Sequence, residues 1–275
     1  PVAQHLSKES GMSIKLAVIG GTGLDLTNMI TDREEIEVFT SYGKALVNRG
    51  MLAGVKILFM YRHGQEHTIP PHRINYRANI AALRKLGANA IIASAAVGSI
   101  RKEYSPGDLV LPDQFIDFTK ARHHTFFDEP GRVVHTDMTE PFCPGLRSAI
   151  STSAGKMGTK IHSNGTYVCV EGPRFETAAE IKAYALLGGD LTGMTVVPEI
   201  ILAREAGICY AAIAIVTNYG AGLSAALLTH REVCEMMSIQ MPRLSGILRE
   251  TIASPIDIEE CPCTKSVDIP EDICE

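Results

Sequence analysis

Long apolar runs are missing from this chain. No stretch approaches the roughly 18 consecutive apolar residues of a membrane-spanning helix, so no membrane insertion is expected. A surplus of one charge is missing too. Lys and Arg number 26 against 31 Asp and Glu, a net charge of −5 that offers no basic face to nucleic acid. The opening residues, PVAQHLSKESGM, are polar and lack the apolar core of a signal peptide, which makes a cytoplasmic enzyme the expectation. There is no internal repeat, low-complexity linker or block of like charge. The 275 residues are therefore expected to form one domain, with a hydrophobic fraction of 45% that is ample for a buried core.

Cysteine is not scarce: seven are present. Cys143, Cys169, Cys209 and Cys234 are scattered and read as small buried hydrophobes. Cys261, Cys263 and Cys274 instead crowd into a polar, proline-containing tail. Cys261-Pro-Cys263 has no nearby Cys or His pair to complete a zinc site, so no metal is expected. A disulfide clamping this tail is the alternative, of the kind that intracellular proteins of hyperthermophiles contain. Such a bridge is expected to influence thermal stability and not turnover.

What is present is a series of strand signals, each ending in groups that suit a ligand. Ile14 to Ile19 runs into Gly20-Gly21-Thr22-Gly23-Leu24-Asp25. Glycines let backbone N–H groups approach an anion, and Thr22 adds a donor. As a dinucleotide fingerprint the loop fails, because Leu26 stands where the third glycine belongs. Strand Val55 to Tyr61 delivers Arg62 and His63, and a guanidinium fork suits an oxyanion. A helix follows from Asn75 through Leu86, then a strand from Ala90 to Ala93. That strand ends in Ser94-Ala95-Ala96-Val97-Gly98-Ser99, small residues that let a ligand touch backbone.

Leu109 to Leu111 and Phe115 to Phe118 read as strands, and Pro144 to Gly158 as a helix. The irregular Thr119 to Glu140 segment, with Phe126-Phe127, reads as a lid or interface. Strand Thr166 to Val170 breaks at Gly172-Pro173, and a helix opening at Glu176 and Thr177 closes at Gly188-Gly189-Asp190. After Thr192-Gly193-Met194-Thr195 a second helix begins at Pro198. Strand Tyr210 to Val216 ends in Thr217-Asn218-Tyr219-Gly220. A long amphipathic helix spans Thr229 to Glu250, and the remaining tail is expected to be loosely held.

Several of these segments resemble one family. Ile19-Gly-Gly-Thr-Gly-Leu24, Arg62-His-Gly-x-x-His67, Asn75-Tyr-Arg-Ala-Asn79 and Pro106-Gly-Asp-x-Val-x-Pro-Asp-Gln-Phe-Ile-Asp117 look like trimeric-type nucleoside phosphorylases. Pro141-Phe-Cys143, Glu171-Gly-Pro-Arg-Phe175 and Gly193-Met-Thr-x-Val-Pro-Glu199 do as well. The resemblance runs from about residue 14 to 250, leaving 251–275 as a cysteine-containing tail, and is nearest to methylthioadenosine phosphorylases. It implies an α/β fold: one three-layer domain around a mixed, mostly parallel sheet, assembled as a homotrimer or a dimer of trimers. It also implies phosphorolysis of a purine nucleoside, with inorganic phosphate as co-substrate and no cofactor or metal.

Matched onto this sequence, the resemblance assigns phosphate to Thr22, Arg62, His63 and Thr195, with backbone at Ala95 and Ala96 closing the cradle. Ala95 stands where many methylthioadenosine phosphorylases carry a hydroxyl. Met194 is expected beneath the ribose, Phe175 against the base, and His135 in a neighbouring subunit's 5′ pocket. Asn218 and His63 are the residues expected to act in catalysis. Adenine-selective members end the Tyr210 to Val216 strand in Thr-Asp-Tyr-Asp; here Asn218 and Gly220 replace both aspartates. An amide suits O6 and N7 of a 6-oxopurine, Glu176 suits N1–H, and His230 suits a 5′-hydroxyl. Inosine and guanosine are therefore the expected substrates, with methylthioadenosine or methylthioinosine as the alternative.

Overall fold

The computed structural model describes residues 15–224, 227–258 and 261–264. Ile14, the polar N-terminal tail and Cys274 lie outside the described residues. In chain order, β1 (Leu16–Gly20), β2 (Thr31–Thr40), β3 (Gly43–Leu52) and β4 (Val55–Tyr61) precede α1 (Tyr76–Lys85). Next come β5 (Ala90–Ser99), β6 (Leu109–Val110), β7 (Gln114–Phe118) and α2 (Pro144–Lys156). They are followed by β8 (Thr166–Val170), α3 (Ala178–Leu186), β9 (Leu191–Gly193), α4 (Val196–Glu205), β10 (Cys209–Tyr219) and α5 (His230–Ala253).

The strands form one mixed sheet organised around β1 and β5. β1 lies parallel between β4 and β5, and β5 runs parallel to β10. Strands buried on both faces read as continuous apolar runs, and LAVIG and CYAAIAIVT do so. Alternate residues of β1 serve opposite faces. Ala17 and Ile19 join α1 and α4 in one hydrophobic cluster, while Leu16 and Val18 join α2 and α5 in the other. The result is the expected three-layer α/β fold.

Asn75 caps α1 by accepting from the Ala78 N–H, and Thr177 forms a reciprocal capping box with Glu180 at α3. The sequence reading overlooked the β2–β3 hairpin, which extends the sheet antiparallel beyond β4. The sequence of β2, TDREEIEVFT, is charged and mostly exposed, so hydrogen bonding to β3 and not burial defines it.

Two expectations are corrected. The tail after Glu250 is not loosely held where it is described: α5 continues to Ala253, and Ile258, Cys261 and Cys263 are buried in the α2–α5 cluster. Gly145 permits this docking, since an added Cβ would stand 2.6 Å from the Asp257 carbonyl oxygen. The Phe126-Phe127 segment also has an internal use. Phe126 is buried against Tyr42 at 5.1 Å between ring centroids, and its N–H donates to Glu205.

Candidate active site

The carboxyl ends of β1, β4, β5, β8, β9 and β10 converge with the start of α5 on one cavity of about 370 Å³. Thr22, Arg62, His63, Ala95, Ala96 and Thr195 all line it, as do Phe175, Glu176, Met194, Asn218 and His230. Open α/β sheets place ligands at such strand ends. Gly220 and His135 do not line it. The Gly220 N–H donates to Ser99, and an added Cβ there would stand 2.9 Å from Ile181, so the position keeps two backbones close. His135 is exposed in the loop before α2.

Gly21 sets the cradle's floor. Its N–H donates to Ser94 Oγ, and an added Cβ would lie 2.5 Å from the Ser94 carbonyl oxygen. Arg62 Nη1 donates to that same carbonyl at 2.7 Å. Its fork is directed elsewhere than the sequence suggested: Nε and Nη2 grip Glu199 at 2.8 and 2.7 Å. Tyr210 donates to the same carboxylate at 2.6 Å. Both members of the pair are buried. Burial disfavours the charged guanidinium, and the neighbouring Glu199 charge more than offsets it, raising the pKa. Three of the five N–H donors of an arginine are thus committed within the protein, leaving the others for an anion.

His63 is pushed down to about 4, by burial first and then by the Arg62 charge, so it is neutral near pH 7. Its Nδ1 lies 2.8 Å from the Ile69 carbonyl, which only an N–H can satisfy. The proton therefore sits on Nδ1 and Nε2 carries a lone pair, able to accept from a protonated phosphate oxygen. Thr195 lines the cavity and makes no side-chain capping bond to α4, whose helical geometry is interrupted at Val197.

A β-bulge shapes the opposite set of groups. β10 pairs residue for residue with β5 up to Val216 opposite Val97, then slips so that Asn218 opposes Gly98. Thr217 is the extra residue, and both Thr217 and Asn218 reach the cavity. The Thr217 hydroxyl lies 2.9 Å from Asn218 Oδ1 and 3.2 Å from the Val97 carbonyl. Asn218 Nδ2 donates to the Tyr219 carbonyl at 2.9 Å, leaving its second N–H for a ligand. Glu176 is buried and accepts from the Thr192 hydroxyl at 2.7 Å. Burial raises its pKa, while that hydrogen bond works the other way.

His67, Thr192, Thr217 and Glu199 were not assigned from sequence. His67 stands 3.0 Å from Thr22 Oγ1 and lies between the rings of His63 and His230, at 4.4 and 5.9 Å. Its backbone adopts φ +53°, an uncommon conformation for a non-glycine residue. The Arg-His-Gly-x-x-His spacing was the available signal, since a tight turn returns His67 to His63. Glu199 closes one of the segments of the resemblance, but nothing local marks its pairing with Arg62, 137 residues away.

Comparison with known proteins agrees with this geometry. A family model described as Phosphorylase superfamily matches residues 15–253. A Pyrococcus furiosus protein named 6-oxopurine nucleoside phosphorylase is 52% identical over 229 residues, covering 81% of this chain and 86% of that one. A Thermofilum pendens protein named S-methyl-5′-thioadenosine phosphorylase is 44% identical over 257 residues, covering 93% and 97%. Among solved structures, methylthioadenosine phosphorylase from Schistosoma mansoni in complex with adenine superposes with a TM-score of 0.84 at 34% identity, covering 88% and 91%.

Proposed function

The chain belongs to the phosphorylase superfamily, and on that premise we propose that it is a purine nucleoside phosphorylase favouring 6-oxopurine nucleosides. It would split inosine or guanosine with inorganic phosphate, giving free base and ribose 1-phosphate. Phosphate is the co-substrate, and no organic cofactor enters this reading. Arg62, His63, Thr22 and Thr195, with the Ala95–Ala96 backbone, hold the anion against C1′. Such positioning removes much of the entropic barrier. A phosphate oxygen bonds to C1′ as the C1′–N9 bond breaks, and that bond's electron pair passes to the purine. An N–H of Asn218, oriented by Thr217, stabilises the charge growing at N7 and O6. Met194 lies beneath the ribose, Phe175 against the base, and His230 near the 5′-hydroxyl.

The observation that carries the preference is Glu176, a buried carboxylate sharing one cavity with the Asn218 amide. A 6-oxopurine brings an N1–H to the first and an acceptor O6 to the second. The deciding assay is release of free base from inosine, guanosine and methylthioadenosine, with and without phosphate. Cleavage independent of phosphate would overturn the reading. Faster phosphorolysis of methylthioadenosine would select the alternative substrate class.

A pH dependence follows from Glu176. Its raised pKa means that the proton is retained to a higher pH than usual. Because the ionised form accepts N1–H, kcat/KM for inosine is expected to rise as pH climbs through that raised value. In Glu176→Gln this acid limb should vanish, and a limb that persists would refute the assignment. Stability runs the opposite way: a carboxyl with a raised folded pKa stabilises the fold below its unfolded pKa, and this contribution is lost as pH rises through the folded value.

A second expectation concerns assembly into a homotrimer or a dimer of trimers. His135 is exposed and Val133 beside it is 81% exposed, consistent with a loop that completes a neighbour's 5′ pocket. Activity is then expected to track the oligomer on dilution, read by sedimentation at assay concentration. A fully active monomer would exclude this role.

A further inference from the structure

Four of the six described cysteines, from three separate stretches of the chain, meet at one point. The sulfurs of Cys143, Cys209, Cys261 and Cys263 all lie within 4.8 Å of one another, and all four residues are buried. None of them lines the active-site cavity. Each comes from a different setting or a tight turn: Cys143 caps α2, Cys209 opens β10, and Cys261 and Cys263 belong to the docked tail. The backbone already brings two of these settings together, since the Cys143 N–H donates to the Tyr210 carbonyl at 2.8 Å.

The distances decide between the two familiar uses of such cysteines. A disulfide needs about 2.05 Å between sulfurs. Cys143 and Cys261 are 3.4 Å apart, well beyond that bond length. Tetrahedral zinc at about 2.3 Å from each thiolate places sulfurs about 3.8 Å apart, within the spread seen here. Four sulfur ligands and no oxygen ligand are the donor set of a closed structural site for a thiophilic cation.

The surroundings suit the net negative charge that four thiolates and one divalent ion leave behind. Cys143 sits at the N-terminus of the 13-residue α2, where its sulfur accepts from the Leu146 N–H at 3.5 Å. Helix N-termini favour thiolate. Arg204 supplies the second, independent sign. It is 2% exposed, and its Nε and Nη1 have no hydrogen-bond partner among the described residues; only Nη2 is used, on the Asp137 carbonyl. Its charge is close enough to act on Cys263. A buried guanidinium with spare donors needs an anion nearby.

We propose that Cys143, Cys209, Cys261 and Cys263 bind one thiophilic divalent cation of the zinc class, fastening the C-terminal segment to α2 and β10. Binding converts four S–H groups to four metal–sulfur bonds and releases four protons. This replaces the sequence-based view of a metal-free tail whose cysteines pair among themselves. The site is structural, and the phosphorolytic reading does not depend on it.

The test uses the full chain, purified without added metal. Elemental analysis and native mass spectrometry should find one zinc per chain. After release with a mercurial, four thiols should become titratable for each zinc freed. Replacing zinc by cobalt should give the visible bands of a tetrahedral thiolate site. Stripping the ion should lower Tm by several degrees and leave kcat for inosine unchanged. Cys263→Ser should bind cobalt at least tenfold more weakly, and if it does not fold, the cobalt spectrum of the wild-type chain still decides. Two disulfides, seen as a mass four hydrogens lower with no metal, would overturn the proposal. So would four free thiols that give no cobalt spectrum at micromolar metal.

Discussion

Arg62→Ala is expected to destabilise the fold by about 3–5 kcal/mol, in addition to weakening phosphate. The sequence alone presents Arg62 as a ligand for the anion, and its removal would then cost binding only. The structure couples it to Glu199 through two short hydrogen bonds in a site where both side chains are buried. Deleting the cation strands a carboxylate with Tyr210 as its remaining partner. A buried carboxylate without its cation carries a desolvation penalty that one hydroxyl does not offset.

The two effects can be separated. Arg62→Met combined with Glu199→Gln removes both charges while keeping an amide oxygen for Tyr210. That pair should regain most of the stability and none of the phosphate affinity. Denaturant midpoints report the first quantity, and KM for phosphate the second. KM is expected to rise about ten- to hundredfold, the worth of a hydrogen bond to a charged group. Equal stability loss in the single and double variants would mean that Glu199 is not what holds Arg62 in place.

That coupling shows where sequence reading stops. β4 and β8 were legible to the residue because a β-branched, apolar run with sharp ends has one reading. α1 and α3 were legible because Asn75 and Thr177 announce their starts. The cavity's lining was legible where residues of the resemblance sit at strand ends. What escaped depends on contacts that no window of sequence contains. Glu199 sits inside an ordinary-looking helix, and its value appears only when β4 brings Arg62 to it. Thr217 gains its role from a one-residue slip between β10 and β5. Cys143 and Cys209 looked scattered because only the docking of the tail gathers them. The β2–β3 hairpin escaped for a different reason: an exposed, charged strand has no burial pattern to read.

Inosine is expected to be preferred over adenosine by about thirtyfold to a thousandfold in kcat/KM. In the proposed binding mode the ionised Glu176 would accept from N1–H of hypoxanthine, whereas adenine would present an N1 lone pair to the same oxygen. A buried carboxylate left without its donor costs about 2–4 kcal/mol, which sets that range. Sites built to hydrogen-bond a substrate group reject analogues lacking it in this way. Asn218 adds to the discrimination, since Thr217 occupies its oxygen and leaves an N–H for O6 or N7. Asn218→Asp with Glu176→Ser should narrow or reverse the preference, because an aspartate accepts from a 6-amino group. Full conversion is not expected. A carboxylate at Gly220 would have its Cβ 2.9 Å from the end of the Ile181 side chain and 3.1 Å from the Ser99 carbonyl, so a second acceptor there requires both neighbours to shift. The raised pKa of Glu176 adds a check on sign. As pH falls through it, the protonated carboxyl becomes a donor to adenine N1, so the inosine-to-adenosine ratio should shrink toward acid and widen toward neutral. A ratio that is flat in pH, or that favours either adenine nucleoside at neutral pH, would remove Glu176 as the discriminating group.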